Sequence, residues 1–269
     1  MTELTFTGER MVPGHTSPDT FWEHVYRYRF AMRHAVGKRV LDIACGEGYG
    51  AAALLHGGAA SVIGLDNSTE TCAHARRKYG IDARVGEAEA IPLDSASVDL
   101  VVSFETIEHL HRPAAFLAEC ARVLAPEGLL IVSSPNKDVY AKLDGPNPFH
   151  CSELTEEELL GLLAADFTSL SIWHQHPVWV ASPSVLLLAA DSTPWHGKIP
   201  GVRKLRKRLR GLFCRHTRAE PHAADAAALL EIIRRREAPW SHIANPYVLF
   251  PAAPEQAIPK YILVIARKN

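Results

Sequence analysis

Apolar and polar positions along this chain switch between two periods. Short apolar runs at Arg39–Ile43, Ser61–Asp66, Ala83–Glu87, Val98–Phe104 and Leu129–Ser133 read as buried strands. Between them, Tyr49–His56, Thr69–Tyr79 and Pro113–Val123 carry apolar residues at helical spacing. Strands alternating with helices in this way predict a mostly parallel, doubly wound α/β sheet with helices on both faces. Thr155–Ala165 predicts another helix, with Thr155 as its N-cap ahead of acidic residues. Leu170–His174 and Lys260–Ile265 predict the last two strands of a seven-stranded sheet.

The flanks are less regular. A helix is predicted over Thr20–Val36, ahead of the first strand. The stretch 185–254 is too long for a structureless loop inside a domain. It predicts a helical insertion or lid, with a helix over Ala223–Arg236. The whole chain, 1–269, therefore reads as one domain: an N-terminal extension (1–36), a core (37–184), the insertion (185–254) and a final strand (255–269).

Composition narrows the class without naming it. With 47% apolar and 22% charged residues and a net charge of −1, the chain is globular and demands no polyanionic partner. No apolar run approaches the roughly 20 residues of a membrane span, and the start lacks the basic and apolar regions of a leader. Five scattered cysteines without CxxC spacing argue against a disulfide framework and a zinc site, and favour a reducing, cytoplasmic compartment. Cys45 reads as a small residue in a tight loop rather than a nucleophile.

Candidate chemistry begins at Asp42-Ile43-Ala44-Cys45-Gly46-Glu47-Gly48-Tyr49-Gly50. Glycines after a strand and at the opening of a helix let backbone approach a ligand closely. Asp66, 20 residues after Gly46, ends the next strand, where a carboxylate can accept ribose hydroxyl hydrogens. A dinucleotide loop reads GxGxxG, but here the third glycine falls one residue early. Asp42 and Glu47 would also repel a pyrophosphate. A donor carrying a sulfonium and an ammonium suits those acids better.

These segments resemble the class I S-adenosylmethionine-dependent methyltransferases. Val40–Gly50 is similar to their first motif and Val62–Asp66 to their second-strand acid. Gly86–Leu93 resembles the adenine-bracketing segment, with Glu87 facing the exocyclic amine. Val98–Phe104 and Arg122–Gly128 are similar to the fourth and fifth strand regions, so the resemblance covers 38–136. It implies a Rossmann-like methyltransferase fold and S-adenosylmethionine as cofactor. The donor-binding set it implies is Tyr28, Asp42, Ala44, Gly46, Gly48, Asp66, Asn67, Glu87, Ala88 and Phe104, with Arg27 beside Tyr28 toward the donor carboxylate. Asp99 reads instead as a cap on the start of its strand.

Two flanking segments bear on the acceptor. Thr7–Pro13 with Glu23–Tyr28, and Ser134–Lys137 with Asn147–Thr155, resemble methyltransferases of bacterial glycan, lipopolysaccharide and sugar pathways, the mycobacterial methylmannose polysaccharide enzymes among them. That implies a sugar or glycan hydroxyl as acceptor. Such a hydroxyl gains from a general base, a role that suits histidine. His150, with Glu153 to orient it, and His109 are the candidate catalytic residues, whereas His111 reads as a surface group. Glu105, Glu108 and Asp138 could in principle hold a divalent metal such as Mg²⁺, but no spacing compels one and no metal is assigned. Trp173, Trp179, Trp195 and Trp240 could stack on sugar rings, with core packing the commoner role.

Lys198–Arg218 holds nine basic residues and no acid. A solvated insertion helix, a phosphate-bearing acceptor, an anionic membrane surface and RNA all stay open there, with nucleic acid the least favoured. A small-molecule acceptor (quinone, phenol or amine), a non-catalytic donor-binding domain and a homo-oligomer also stay open.

Overall fold

In a computed structural model, the described residues are 10–12, 15–16, 18–140, 142, 145, 147–175, 249–251 and 260–269. The elements are α1 (Pro18–Ala35), β1 (Arg39–Ile43), α2 (Tyr49–His56), β2 (Ser61–Asp66), α3 (Thr69–Tyr79), β3 (Asp82–Val85) and β4 (Val98–Phe104). A 3₁₀ turn (Ile107–His109), α4 (Pro113–Val123), β5 (Leu124–Pro135), α5 (Glu156–Leu163), β6 (Phe167–Gln175), β7 (Leu249–Pro251) and β8 (Tyr261–Lys268) follow. The sheet order is β3-β2-β1-β4-β5-β8-β6-β7. β1 through β5 pair in parallel, whereas β8 runs antiparallel to both β5 and β6.

The strands alternate their side chains between two apolar layers, as a period of two requires. Val40, Leu100 and Val102 enter one layer with α1, α2 and α3. Leu41, Ile43 and Val101 enter the other with α4 and α5. In α1, Val25, Tyr28, Ala31 and Ala35 are buried, a stripe that seats the helix on the sheet. The helix is thus part of the core.

Local signals set the helix ends. The Ser68 side chain accepts the Thr71 N–H, and Gly80 closes α3 in the left-handed region. Thr155 and Glu158 form a reciprocal capping box at the start of α5. Asp99 accepts both the backbone N–H and the guanidinium of Arg39, which ties β4 to β1 at the edge opposite the site.

The sheet has eight strands, one more than its seven predicted strands. The addition, β7, pairs with β6 inside the stretch expected to be helical. The rest of 185–254, with the helix Ala223–Arg236, the basic run, Trp195 and Trp240, lies outside the described residues, as does Trp179. Among the described residues no helix is long and apolar enough to cross a membrane.

Register brings the site together. Ile43 pairs with Leu65 and Ser103, Phe104 with Ser133, and Pro135 with Tyr261. The carboxyl ends of β1, β2, β4 and β5 therefore share one edge with the start of β8. Strand order reverses between β1 and β4, the position where open α/β sheets bind ligands.

Candidate active site

The loop after β1 folds back on β2. The Cys45 N–H donates to the Leu65 carbonyl at 2.9 Å, and Ala44, Gly46 and Gly48 take positive φ of 55°, 53° and 98°. The Asp66 carboxylate accepts the Gly46 N–H through one oxygen and the Ser68 N–H through the other, each at 3.0 Å. Both bonds hold the acid in place while lone pairs remain for a ligand's hydroxyls. The Gly86 N–H donates to the Asp66 carbonyl at 3.1 Å, which moors the next loop beside β2. Glu87 and Asn67 are exposed there, Ala88 is half-buried, and Ala44 is exposed on the glycine loop.

Other expected members of this set lie beneath the loop. Asp42 is fully buried, and Tyr28 Oη donates to its carboxylate. Burial pushes the Asp42 carboxyl up to about 8; the Tyr28 bond opposes the shift and Asp66 adds to it. The Tyr28 ring meets Tyr49 and Phe104 edge to face, at 5.4 Å and 5.1 Å between centroids. Gly50 makes room for it, because a Cβ there would lie 2.0 Å from the ring. Gly48 is needed twice, for its φ and because a Cβ would meet that of Ala75 at 2.6 Å.

Glu47 departs from its expected place. It turns away into α3, where Lys78, Tyr79 (2.7 Å) and His74 (3.3 Å) hold it. The Glu47 carboxylate therefore no longer argues against a pyrophosphate, and of the two acids in that argument only Asp42 stays beneath the loop. Cys45 is buried beside both acids, and burial drives its thiol far from ionisation, which removes the nucleophile reading. Cys45, Cys72, Cys120 and Cys151 are free thiols.

Arg27 is a feature whose burial one helix's pattern did not disclose. It is 1% exposed, its Nε donates to Gln175 at 2.8 Å, and its guanidinium lies 4.4 Å from the Tyr261 ring centroid. Nη1 stands 3.2 Å from Glu105 Oε1, yet neither terminal nitrogen makes a hydrogen bond among the described residues. Glu105 adopts a positive φ of 52° just past β4 and accepts the Ser133 hydroxyl at 2.7 Å. A buried cation with unspent donors beside the strand ends is suited to a carboxylate.

The two candidate histidines lie together. Their ring centroids are 5.0 Å apart with planes at 84°. His150 Nδ1 is 2.8 Å from Glu153 Oε1, and its Nε2 faces the Asn147 side-chain amide at 3.0 Å. His109 Nδ1 is 3.0 Å from the Phe149 carbonyl oxygen. The Cys151 and Ser152 N–H groups both donate to the Glu108 carbonyl, clamping this loop onto the 3₁₀ turn. Burial, with Glu105 adding, pushes the Glu108 carboxyl well above the usual carboxylate range. His111 and Asp138 are exposed, and Trp173 packs on Phe30 at 5.0 Å.

The sheet order, the glycine loop and the acid ending β2 define a Rossmann-like class I methyltransferase fold. Residues 41–132 match a family model described as a methyltransferase domain. A "Probable S-adenosylmethionine-dependent methyltransferase" of Mycolicibacterium smegmatis is 44% identical over 165 residues, 60% of this chain and 63% of that protein. A "Ubiquinone biosynthesis O-methyltransferase" of Parvibaculum lavamentivorans is 35% identical over 115 residues, 41% of this chain and 46% of that protein. The chain thus spans less than two thirds of the length of these curated relatives. Among solved structures, an S-adenosylmethionine-dependent methyltransferase from Archaeoglobus fulgidus is similar at a TM-score of 0.57 and 18% identity, over 91% of this chain and 93% of that one. At that identity the likeness speaks to the fold.

Proposed function

We propose that this chain is an S-adenosylmethionine-dependent O-methyltransferase whose acceptor is a hydroxyl of a sugar or glycan. The observation carrying the oxygen acceptor is the His150–Glu153 pair at the strand ends, 2.8 Å apart. When bound, S-adenosylmethionine supplies a methyl on a sulfonium, displaced in line with sulfur as the leaving group. On this reading Asp66 accepts from the ribose hydroxyls, Glu87 accepts from the adenine amine, and Arg27 holds the donor carboxylate. Asp42 and the backbone of Ala44, Gly46 and Gly48 shape the loop beside the cationic end, with Tyr28 and Phe104 packed beneath it.

His150 receives the acceptor's proton at Nε2 once Asn147 yields, and Glu153 stabilises the imidazolium from Nδ1. The oxygen–methyl bond forms as the methyl–sulfur bond breaks, and adenosylhomocysteine leaves. The largely covered polar cluster of His109, Asn147, His150 and Glu153 suits a hydroxylated acceptor. A second reading, a phenolic acceptor, draws on the relative named for ubiquinone biosynthesis and on Phe149, 39% exposed. Incubation with labelled donor and a panel of saccharides and phenols separates the two. Label on a saccharide hydroxyl supports the proposal, and transfer confined to phenols overturns it.

A further inference from the structure

The 3₁₀ turn after β4 carries an oddity that proton transfer leaves unexplained. Glu108 is fully buried, and among the described residues neither of its carboxylate oxygens makes a hydrogen bond. An ionised carboxylate in that state costs several kcal/mol unless a cation meets it. The guanidinium of Arg27 acts on it through space, yet it is not among the groups hydrogen-bonded to it. Among the described residues, Glu108, His109 and His150 bring their ligand atoms within 4.8 Å of one another.

We infer that Glu108, His109 and His150 form a site for a divalent transition-metal ion. The second contacts of both rings support it. A proton on His109 Nδ1 goes to the Phe149 carbonyl and one on His150 Nδ1 goes to Glu153, so both Nε2 atoms carry lone pairs. Metal-bound histidines are held by this kind of carbonyl or carboxylate partner. His109 Nε2 stands 4.0 Å from Glu108 Oε1. Bond lengths of about 2.0–2.2 Å ask the donors to close in by modest side-chain rotation, with the Asn147 amide leaving His150. Two imidazoles and one carboxylate favour zinc, cobalt, manganese or iron(II) over magnesium, which prefers oxygen.

The site deepens the proposed function and rests on that reading for where the acceptor lies. An acceptor hydroxyl at an open position of the ion has its pKa lowered and releases its proton to water before the methyl arrives. With the ion bound, the His150 Nε2 lone pair is taken up as a ligand, so water takes the proton that the ring receives in the ion's absence. Acceptors with adjacent oxygens, as in a vicinal diol or a catechol, gain further by chelation.

The test uses the untagged full chain, stripped with a chelator and titrated with Co²⁺ by absorption and with Zn²⁺ by calorimetry. The expected result is one tightly bound ion per chain, with affinity falling at least about 10- to 100-fold in His109→Gln and His150→Gln. Glu108→Gln is a third arm where its melting curve shows it folded; the histidine variants suffice otherwise. Absence of saturable Co²⁺ or Zn²⁺ binding, or equal affinity in the histidine variants, overturns the site. Binding of Mg²⁺ alone overturns it as well. Methyl transfer to a saccharide that persists after chelation, yet is lost in His150→Ala, leaves the proposed function standing and sinks the metal's role. One bound ion without saccharide transfer does the reverse.

Discussion

The Tyr28 hydroxyl lies 3.1 Å and 3.2 Å from the two carboxylate oxygens of Asp42, so the N-terminal helix closes over an acid in the central strand. That bond offsets part of the cost of burying the acid, and the burial itself carries a pH dependence. The Asp42 carboxyl is raised to about 8, above its unfolded value. A raised acid favours the folded state most when protonated. Its stabilising contribution is therefore complete below about pH 4 and is lost as pH rises through about 8. Asp42→Asn removes this dependence. The unfolding free energy from denaturant titration should fall more for the wild type than for the variant between about pH 5 and about pH 8, by up to a few kcal/mol. Parallel curves would refute the assignment.

The same acid predicts a proton linked to donor binding. An ammonium or sulfonium beside the loop favours ionised Asp42, so binding below about pH 8 releases a proton. Calorimetric titration with adenosylhomocysteine in buffers of different ionisation enthalpy should show that release, and Asp42→Asn should abolish it. Buffer-independent heats in the wild type would rule it out.

Gly50 tests the packing of the N-terminal helix. A Cβ at this position would lie 2.0–2.5 Å from ring atoms of Tyr28. Gly50→Ala should cost about 1–3 kcal/mol through overpacking. Tyr28→Ala, destabilising alone, should recover part of that loss in the double variant, because the clash goes with the ring. Additive losses would show that the two residues do not share the strain.

This glycine also illustrates what the chain's pattern could and could not disclose. Its displacement from the dinucleotide spacing is plain in one dimension, and its purpose is not, since the ring it admits belongs to a helix before the first strand. Asp66 as the acid that closes a strand and Thr155 as a helix cap were readable because each accepts an N–H close by in sequence, that of Ser68 two positions on and that of Glu158 three positions on. Glu47 misled for the opposite reason, being claimed by Lys78 and Tyr79 from a helix it does not adjoin in sequence. The meeting of His109 with His150 depends on a loop returning from β5, and no spacing rule encodes that. β7 joined the sheet from a stretch whose helical pattern outweighed three residues of strand.

Asp66 should be worth more to the donor than to the fold. A charge-assisted hydrogen bond contributes about 1.5–3 kcal/mol, and the proposed ribose contact includes two hydroxyls. Asp66→Asn should weaken adenosylhomocysteine binding by at least about 10- to 100-fold, read by calorimetry. It also sets an amide N–H₂ against the Gly46 or Ser68 N–H, so a modest fall in melting temperature should accompany it. Unchanged affinity would move the ribose elsewhere.

His150 and Glu153 separate chemistry from binding. If the ring receives the acceptor proton or holds an activating ion, His150→Ala should lower kcat by roughly 100-fold while donor affinity stays within about twofold. Glu153 acts through His150, so Glu153→Gln should cost less, about 10-fold. The double variant should then be no worse than His150→Ala, because an orienting group has nothing left to orient. A loss confined to donor affinity would instead make His150 a strut of the loop over the donor. An additive double variant would detach Glu153 from the ring and give it a separate contact with the acceptor.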